Sequence, residues 1–157
     1  MKILMICLGN ICRSPLAQGI MEAKAKAAGL HWLIDSAGTG GWHVGEKPHR
    51  LSQKVALHHG IHIGHQRARK FVPEDAERFD VLLFMDRSNL EDARAMAGPK
   101  WDETRAFLLM HWLPLAAHPD IPDPYYGGEE GFFEVFHLIS EACDAFISQQ
   151  LSKADGK

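Results

Sequence analysis

No apolar run in this sequence approaches the ~20 residues that a membrane-crossing helix needs, so no segment reads as one. Cysteine is scarce and odd in number, three in 157 residues. That excludes a small secreted scaffold stapled by disulfides, and a reducing cytoplasm is the expected setting. Positive charge is not in excess. Seventeen Lys and Arg face twenty Asp and Glu, a formal net charge of −3. A nucleic-acid binder usually carries the opposite balance, so no nucleic-acid partner is expected. The opening Met1-Lys2-Ile3-Leu4-Met5-Ile6 lacks the length of a signal-peptide core and reads as a mature N-terminus. Repeats and low-complexity tracts are absent. What is there fits an ordinary globule. Hydrophobic residues make up 46% and charged residues 24%, enough for a real core in one domain over residues 1–157.

Apolar runs alternate with helical stretches along the chain. Residues 2–7 read as a buried strand. Ser14 is placed to cap a helix with Pro15 in its first turn, and Gly29 stops it near Ala28. Leu30 to Ala37 predicts a second strand, Arg50 to His59 a helix ended by Gly60, and Glu74 to Phe79 a helical turn. Asp80 to Met85 predicts a third strand, Asp86 to Ala97 a helix, and Arg105 to Met110 a fourth strand. Residues 114–128 hold four of the eight prolines and read as a loop. Glu129 to about Leu151 predicts a final helix. This order points to an α/β layered domain with a mainly parallel sheet, whose ligands sit at the carboxyl ends of the strands.

One loop falls at such an end. Cys7-Leu8-Gly9-Asn10-Ile11-Cys12-Arg13-Ser14 follows the first strand and leads into the first helix. A thiol there lies among backbone N–H groups and near the positive end of a helix dipole, and both favour anions. Arg13 adds a planar fork that grips two phosphate oxygens. A cysteine must be ionised to attack phosphorus, and helix N-termini and cationic neighbours are what favour the thiolate. The amides of Leu8 through Ser14, with Arg13, are placed to do this and to hold the equatorial oxygens of the transition state. Gly9 permits the backbone shape that turns amides inward. The Ser14 hydroxyl is in reach of the sulfur.

A leaving group also needs a proton. Asp123-Pro124-Tyr125-Tyr126 offers a carboxyl for that purpose, although spacing alone does not connect residues 7 and 123. The run His58-His59-Gly60-Ile61-His62-Ile63-Gly64-His65 tempts a metal reading. Gly60 breaks any helix across it and no acidic or cysteine partner sits at ligand spacing, so no metal is expected. A solvated surface patch is the better reading. The Cys7 loop lacks the lysine of a nucleotide-binding phosphate loop.

Residues 7–15 resemble the active-site loop of the low-molecular-weight protein tyrosine phosphatases, and Asp123-Pro124-Tyr125-Tyr126 resembles their late acid loop. Asp35-Ser36-Ala37-Gly38-Thr39, Trp42-His43-Val44-Gly45, His59-Gly60-Ile61 and Met85-Asp86-Arg87-Ser88-Asn89-Leu90 match in order between them. The resemblance implies a three-layer α/β sandwich with a four-stranded parallel sheet flanked by helices. It implies hydrolysis of phosphotyrosine without metal or cofactor, with Cys7 as nucleophile, Arg13 as transition-state clamp and Asp123 as acid and later base. Leu8, Gly9, Asn10, Ile11, Cys12 and Ser14 then form the phosphate-binding loop, with Asn10 in a left-handed conformation. Asn10 and Ser14, with Ser36 and a buried His65, brace it. Trp42, Tyr125 and Tyr126 become cleft walls suited to a phenyl ring. Cys12 becomes a redox partner able to form a reversible disulfide with Cys7. Expected partners are phosphotyrosine-containing proteins and a phosphate or related oxyanion, with no membrane and a monomer or weak self-association. Three other readings share the motif. A phosphoarginine phosphatase usually has threonine where Ile11 stands, and an arsenate reductase needs further cysteines, which residues 66–100 lack. A non-catalytic phosphotyrosine reader would have lost Cys7, Arg13 or Asp123.

Overall fold

The computed structural model describes residues 1–113 and 119–155. β1 (Lys2–Cys7) runs through the middle of the sheet, and its side chains divide by period 2. Ile3, Met5 and Cys7 face one core, and Leu4 and Ile6 face the other. A strand buried on both faces reads as an unbroken apolar run, as residues 3–6 do. α1 (Arg13–Ala27) follows, then β2 (Leu33–Gly38), α2 (Arg50–His58), the single turn α3 (Asp75–Arg78), β3 (Val81–Phe84), α4 (Arg87–Ala97), β4 (Ala106–Leu108) and α5 (Glu129–Asp155). The strand order is β2-β1-β3-β4 and every pairing is parallel. α1, α2 and α5 pack on the face of Ile3 and Met5. Ala76 of α3 and Ala93 and Ala97 of α4 pack with Leu4, Ile6, Leu82 and Phe84 on the other. The three-layer α/β sandwich expected from the sequence is the architecture observed.

Several boundaries differ from the local reading. β2 starts at Leu33, because Leu30 is still tied to α1 through its amide on the Ala25 carbonyl. β4 keeps only three residues, flanked by 3-10 turns at Glu103–Arg105 and Leu109–Trp112. The second turn carries Trp112 onto Phe146 of α5, with ring centroids 4.8 Å apart. α1 begins at Arg13, and its N-cap, Cys12, makes no side-chain cap. Ser14 therefore sits inside the helix and its hydroxyl is used elsewhere. Of the loop expected over residues 114–128, residues 114–118 lie outside the described part; residues 119–128 carry no helix or strand.

The carboxyl ends of β1 and β2 meet at Gly38. A Cβ there would lie 2.7 Å from the Leu8 carbonyl oxygen and 3.0 Å from both the Asn10 nitrogen and the Gly9 carbonyl carbon. All three are backbone atoms of the Cys7 loop and cannot rotate away. Gly38→Ala is expected to lower stability by about 1–3 kcal/mol in urea unfolding. Unchanged stability would mean that the loop is not pressed against β2.

Candidate active site

The loop from Cys7 to Cys12 owes its shape to where its carbonyls go. The Cys7 carbonyl accepts from the Thr39 amide at 3.0 Å, Leu8 from Gly40 at 2.8 Å and Ile11 from His49 at 2.7 Å. The Cys12 carbonyl accepts from the Ser52 hydroxyl at 3.2 Å. Each bond draws an oxygen outward. In a trans peptide the N–H points the opposite way, so the amides of Leu8, Gly9, Cys12 and Arg13 turn toward the inside of the loop. The result is a ring of donors around one sulfur, a setting that favours negative charge.

Asn10 locks this ring. Its φ of 56° is left-handed, which asparagine tolerates better than most residues. Its amide donates to Cys7 Sγ at 3.3 Å. Its side chain is nearly fully buried and uses both ends. Nδ2 donates to Ser14 Oγ at 2.7 Å and Ser36 Oγ at 3.0 Å, and Oδ1 accepts from the Arg69 amide at 3.0 Å. Ser14 Oγ lies 2.9 Å from Cys7 Sγ and, while accepting from Asn10, keeps its proton to donate to the sulfur as a thiolate. The arrangement thus supplies the sulfur with two donors.

Arg13 opens α1 with only 2% of its surface exposed. One guanidinium nitrogen, Nη1, donates to Asp86 Oδ2 at 2.7 Å and to the Ile121 carbonyl at 2.8 Å. Nη2 lies 3.6 Å from Asp123 Oδ2. Burial works against this charge, but the Cys7 sulfur and the Asp86 and Asp123 carboxylates outweigh it and hold the Arg13 pKa above its ordinary value. Asp86 serves two ends: Oδ1 caps α4 on the Asn89 amide at 2.8 Å while Oδ2 holds Arg13. Asp123 arrives from the proline-rich loop and accepts from the Tyr125 amide at 3.1 Å.

These groups share a cleft of about 340 Å³, lined by the loop, Arg13, Asp123, Trp42, His43, Tyr125 and Tyr126. Trp42 and Tyr126 are 71% and 95% exposed and stand at its mouth. The Trp42 ring lies across Gly40, where a Cβ would fall 1.9 Å from a ring carbon. Tyr125 is deeper, edge-on to His49 with centroids 5.9 Å apart. Cys12 also lines the cleft and is a free thiol. Burial first, then the charges on Cys7 and Asp123, push its pKa up to about 12, so it stays protonated at neutral pH.

Cys7, Leu8, Gly9, Asn10, Ile11, Cys12, Arg13, Ser14, Ser36, Trp42, Asp123, Tyr125 and Tyr126 are thus gathered at one site, as expected from the sequence. His65 is the correction. It is exposed on the far side of a segment whose buried residues are Ile63 and Gln66, and its charged neighbour is Glu22. The bracing contact on Asn10 comes instead from the backbone amide of Arg69. Of the other histidines of that run, His62 is exposed and two pack against α5. His59 stacks on Phe136 at 4.0 Å and His58 meets Phe133 edge-on. Four participants were not among the expected site residues: Asp86 and His43, which stood only within matching runs, and two backbone groups, the Ile121 carbonyl and the Arg69 amide. The imidazole of His43 lines the cleft with Nδ1 2.8 Å from Glu46.

Comparison with known proteins agrees with this geometry. The family described as low molecular weight phosphotyrosine protein phosphatase matches residues 2–156. The low molecular weight protein-tyrosine-phosphatase YfkJ of Bacillus subtilis is 38% identical over 149 residues, covering 94% of each chain. Its crystal structure superposes with a TM-score of 0.89 over 98% of this chain and 96% of that one. The human low molecular weight phosphotyrosine protein phosphatase is 35% identical over 151 residues, again covering 94% of each. The tyrosine phosphatase Wzb of Escherichia coli K30, solved in complex with sulphate, is 31% identical with a TM-score of 0.83, covering 95% of this chain and 97% of its own. The chain belongs to the low molecular weight phosphotyrosine protein phosphatase family.

Proposed function

We infer that this chain is a protein-tyrosine phosphatase that works through a phosphoryl-cysteine intermediate. One observation carries the reading: Cys7 Sγ accepts from the Asn10 amide beside the Ser14 hydroxyl, and Arg13 and Asp123 stand together in the same cleft. The Cys7 thiolate attacks phosphorus and the bond from phosphorus to the tyrosyl oxygen breaks. The leaving oxygen takes its electron pair and a proton from Asp123. Arg13 Nη2 and the loop amides hold the three equatorial oxygens, where charge is spread in the transition state. In the second step water attacks phosphorus, the Asp123 carboxylate takes its proton, and the sulfur–phosphorus bond breaks. The Ser14 hydroxyl donates to the departing sulfur. The sulphate held by the Escherichia coli relative is a tetrahedral oxyanion of the kind this ring of donors suits.

Aromatic walls favour an aryl phosphate. Trp42, Tyr125 and Tyr126 line the cleft, so a phenyl ring meets aromatic faces there that a phosphoserine side chain has no ring to stack on. Substrates are therefore phosphotyrosine-bearing proteins, handled by residues 1–157 as one catalytic domain without metal or cofactor. No described helix is long and apolar enough to cross a membrane, and we place the enzyme in the cytoplasm. Rates on phosphotyrosine, phosphoserine and phosphoarginine peptides side by side test the assignment. Phosphotyrosine is expected to lead; preference for phosphoarginine would move the chain to that branch. A reader would bind phosphate and release nothing.

Asp123→Asn is expected to lower kcat/KM by about 10²–10³-fold, within the range for loss of a general acid. The loss should grow as the leaving group becomes poorer, from p-nitrophenyl phosphate to phenyl phosphate. An equal loss on both would contradict the acid role.

A further inference from the structure

The loop that brings Asp123 to the cleft is tied down at a point outside it. Asp120, three residues upstream, accepts from the Arg87 amide at 2.9 Å through Oδ1. The Arg87 guanidinium reaches both carboxylate oxygens, Nε at 3.3 Å to each and Nη2 at 3.2 Å to Oδ2. Arg87 is the first residue of α4, so its amide is one of the donors a helix leaves unsatisfied, and a carboxylate is favoured there. Burial works against the Asp120 charge, but the hydrogen bonds from Arg87 outweigh it and hold the carboxyl below its ordinary range.

The chain neighbours of this pair both belong to the active site. Asp86 precedes Arg87 and holds Arg13; Ile121 follows Asp120 and gives its carbonyl to Arg13. The Ile121 amide is fixed as well, on the Met85 carbonyl at 2.8 Å. A closed circuit results: Asp86 to Arg87 by peptide bond, Arg87 to Asp120 by ion pair, Asp120 to Ile121 by peptide bond, and Ile121 through Arg13 back to Asp86. The circuit sets the register of the acid loop against the clamp. Arg87 and Asp120 side chains are 69% and 35% exposed. An ion pair so open to water adds little to global stability, so its consequence is local.

We propose that the Arg87–Asp120 pair is a latch that sets the position of Asp123 over the cleft. Both are positioning residues for proton transfer to the leaving group. The proposal rests on Asp123 being the acid, and the test separates the two. Asp120→Ala, Arg87→Ala and Asp123→Asn are compared with the parent by kcat/KM on p-nitrophenyl phosphate and on phenyl phosphate. The ratio between substrates, taken on one sample, is independent of the fraction folded. Asp120→Ala and Arg87→Ala are expected to lose about tenfold on phenyl phosphate, as misplacement of a catalytic group does. The loss on p-nitrophenyl phosphate should be smaller. Arg87→Lys, which keeps the helix amide and a cation, should recover part of the ratio. An unchanged ratio in Asp120→Ala and Arg87→Ala, beside a changed one in Asp123→Asn, overturns the latch alone. An unchanged ratio in Asp123→Asn removes the acid assignment and the latch with it.

Discussion

Cys7→Ser is expected to abolish turnover, with a loss of at least about 10⁴-fold on p-nitrophenyl phosphate, while inorganic phosphate still binds. The substitution removes one chemical property and little else. A serine hydroxyl is not ionised at neutral pH and receives no base here. The groups around Sγ are the Ser14 hydroxyl and the Asn10 amide, donors to a negative charge rather than acceptors of a proton. A hydroxyl at this place therefore has no way to become a nucleophile. The phosphate-holding parts are separate from it. The inward amides are fixed by carbonyl bonds to Thr39, Gly40, His49 and Ser52, and Arg13 is fixed by Asp86 and Ile121. Titration calorimetry with inorganic phosphate should give similar affinity in parent and variant. Residual turnover within tenfold of the parent would mean that sulfur is not the nucleophile.

Arg13→Lys is expected to cost about 10³-fold in kcat/KM, a magnitude typical of losing a positioned donor to a transferring phosphoryl group. Charge is kept in this variant, so the loss measures geometry. Nη1 is already committed to Asp86 and the Ile121 carbonyl, which fix the guanidinium plane and aim the rest of the fork into the cleft. An ammonium is a point charge on a flexible stem and has no plane to fix. It can satisfy Asp86 or a phosphate oxygen, but it does not hold both along the directions that the fork sets. The larger part of the loss should appear in kcat, since the three oxygens spread apart only as the transition state forms. Near-UV circular dichroism should match the parent, because the Asp86 charge keeps a cation beside it. A variant within tenfold of the parent in kcat/KM would show that the fork does not act on the transition state.

The parts of the molecule legible from sequence are those whose cause is local. The unbroken run Ile3–Ile6 announces a strand buried on both faces, and the contiguous Cys7–Ser14 loop carries sulfur, arginine and helix start together. Partnerships across the chain were not legible in that way. Asp86 meets Arg13 over a separation of 73 residues, and by local rules it is only the cap that it also is. The Ile121 carbonyl and the Arg69 amide are backbone groups, which no residue type marks. Ser14 shows local preference yielding to tertiary use: a good cap by composition, it lies within α1 because the sulfur and Asn10 take its hydroxyl. His65 shows the reverse error. The family resemblance implies a buried brace there, yet the burial pattern of that segment turns Ile63 and Gln66 inward and leaves His65 outside.

The phosphoryl-cysteine intermediate can be trapped. Asp123→Asn enzyme mixed with an aryl phosphate, quenched in acid within the first turnover and digested, is predicted to carry a phosphoryl group on the peptide containing Cys7, at Cys7 itself. A phosphoryl group on any other residue, or turnover with none on the protein at any time, would contradict the claim that phosphorus passes through that sulfur.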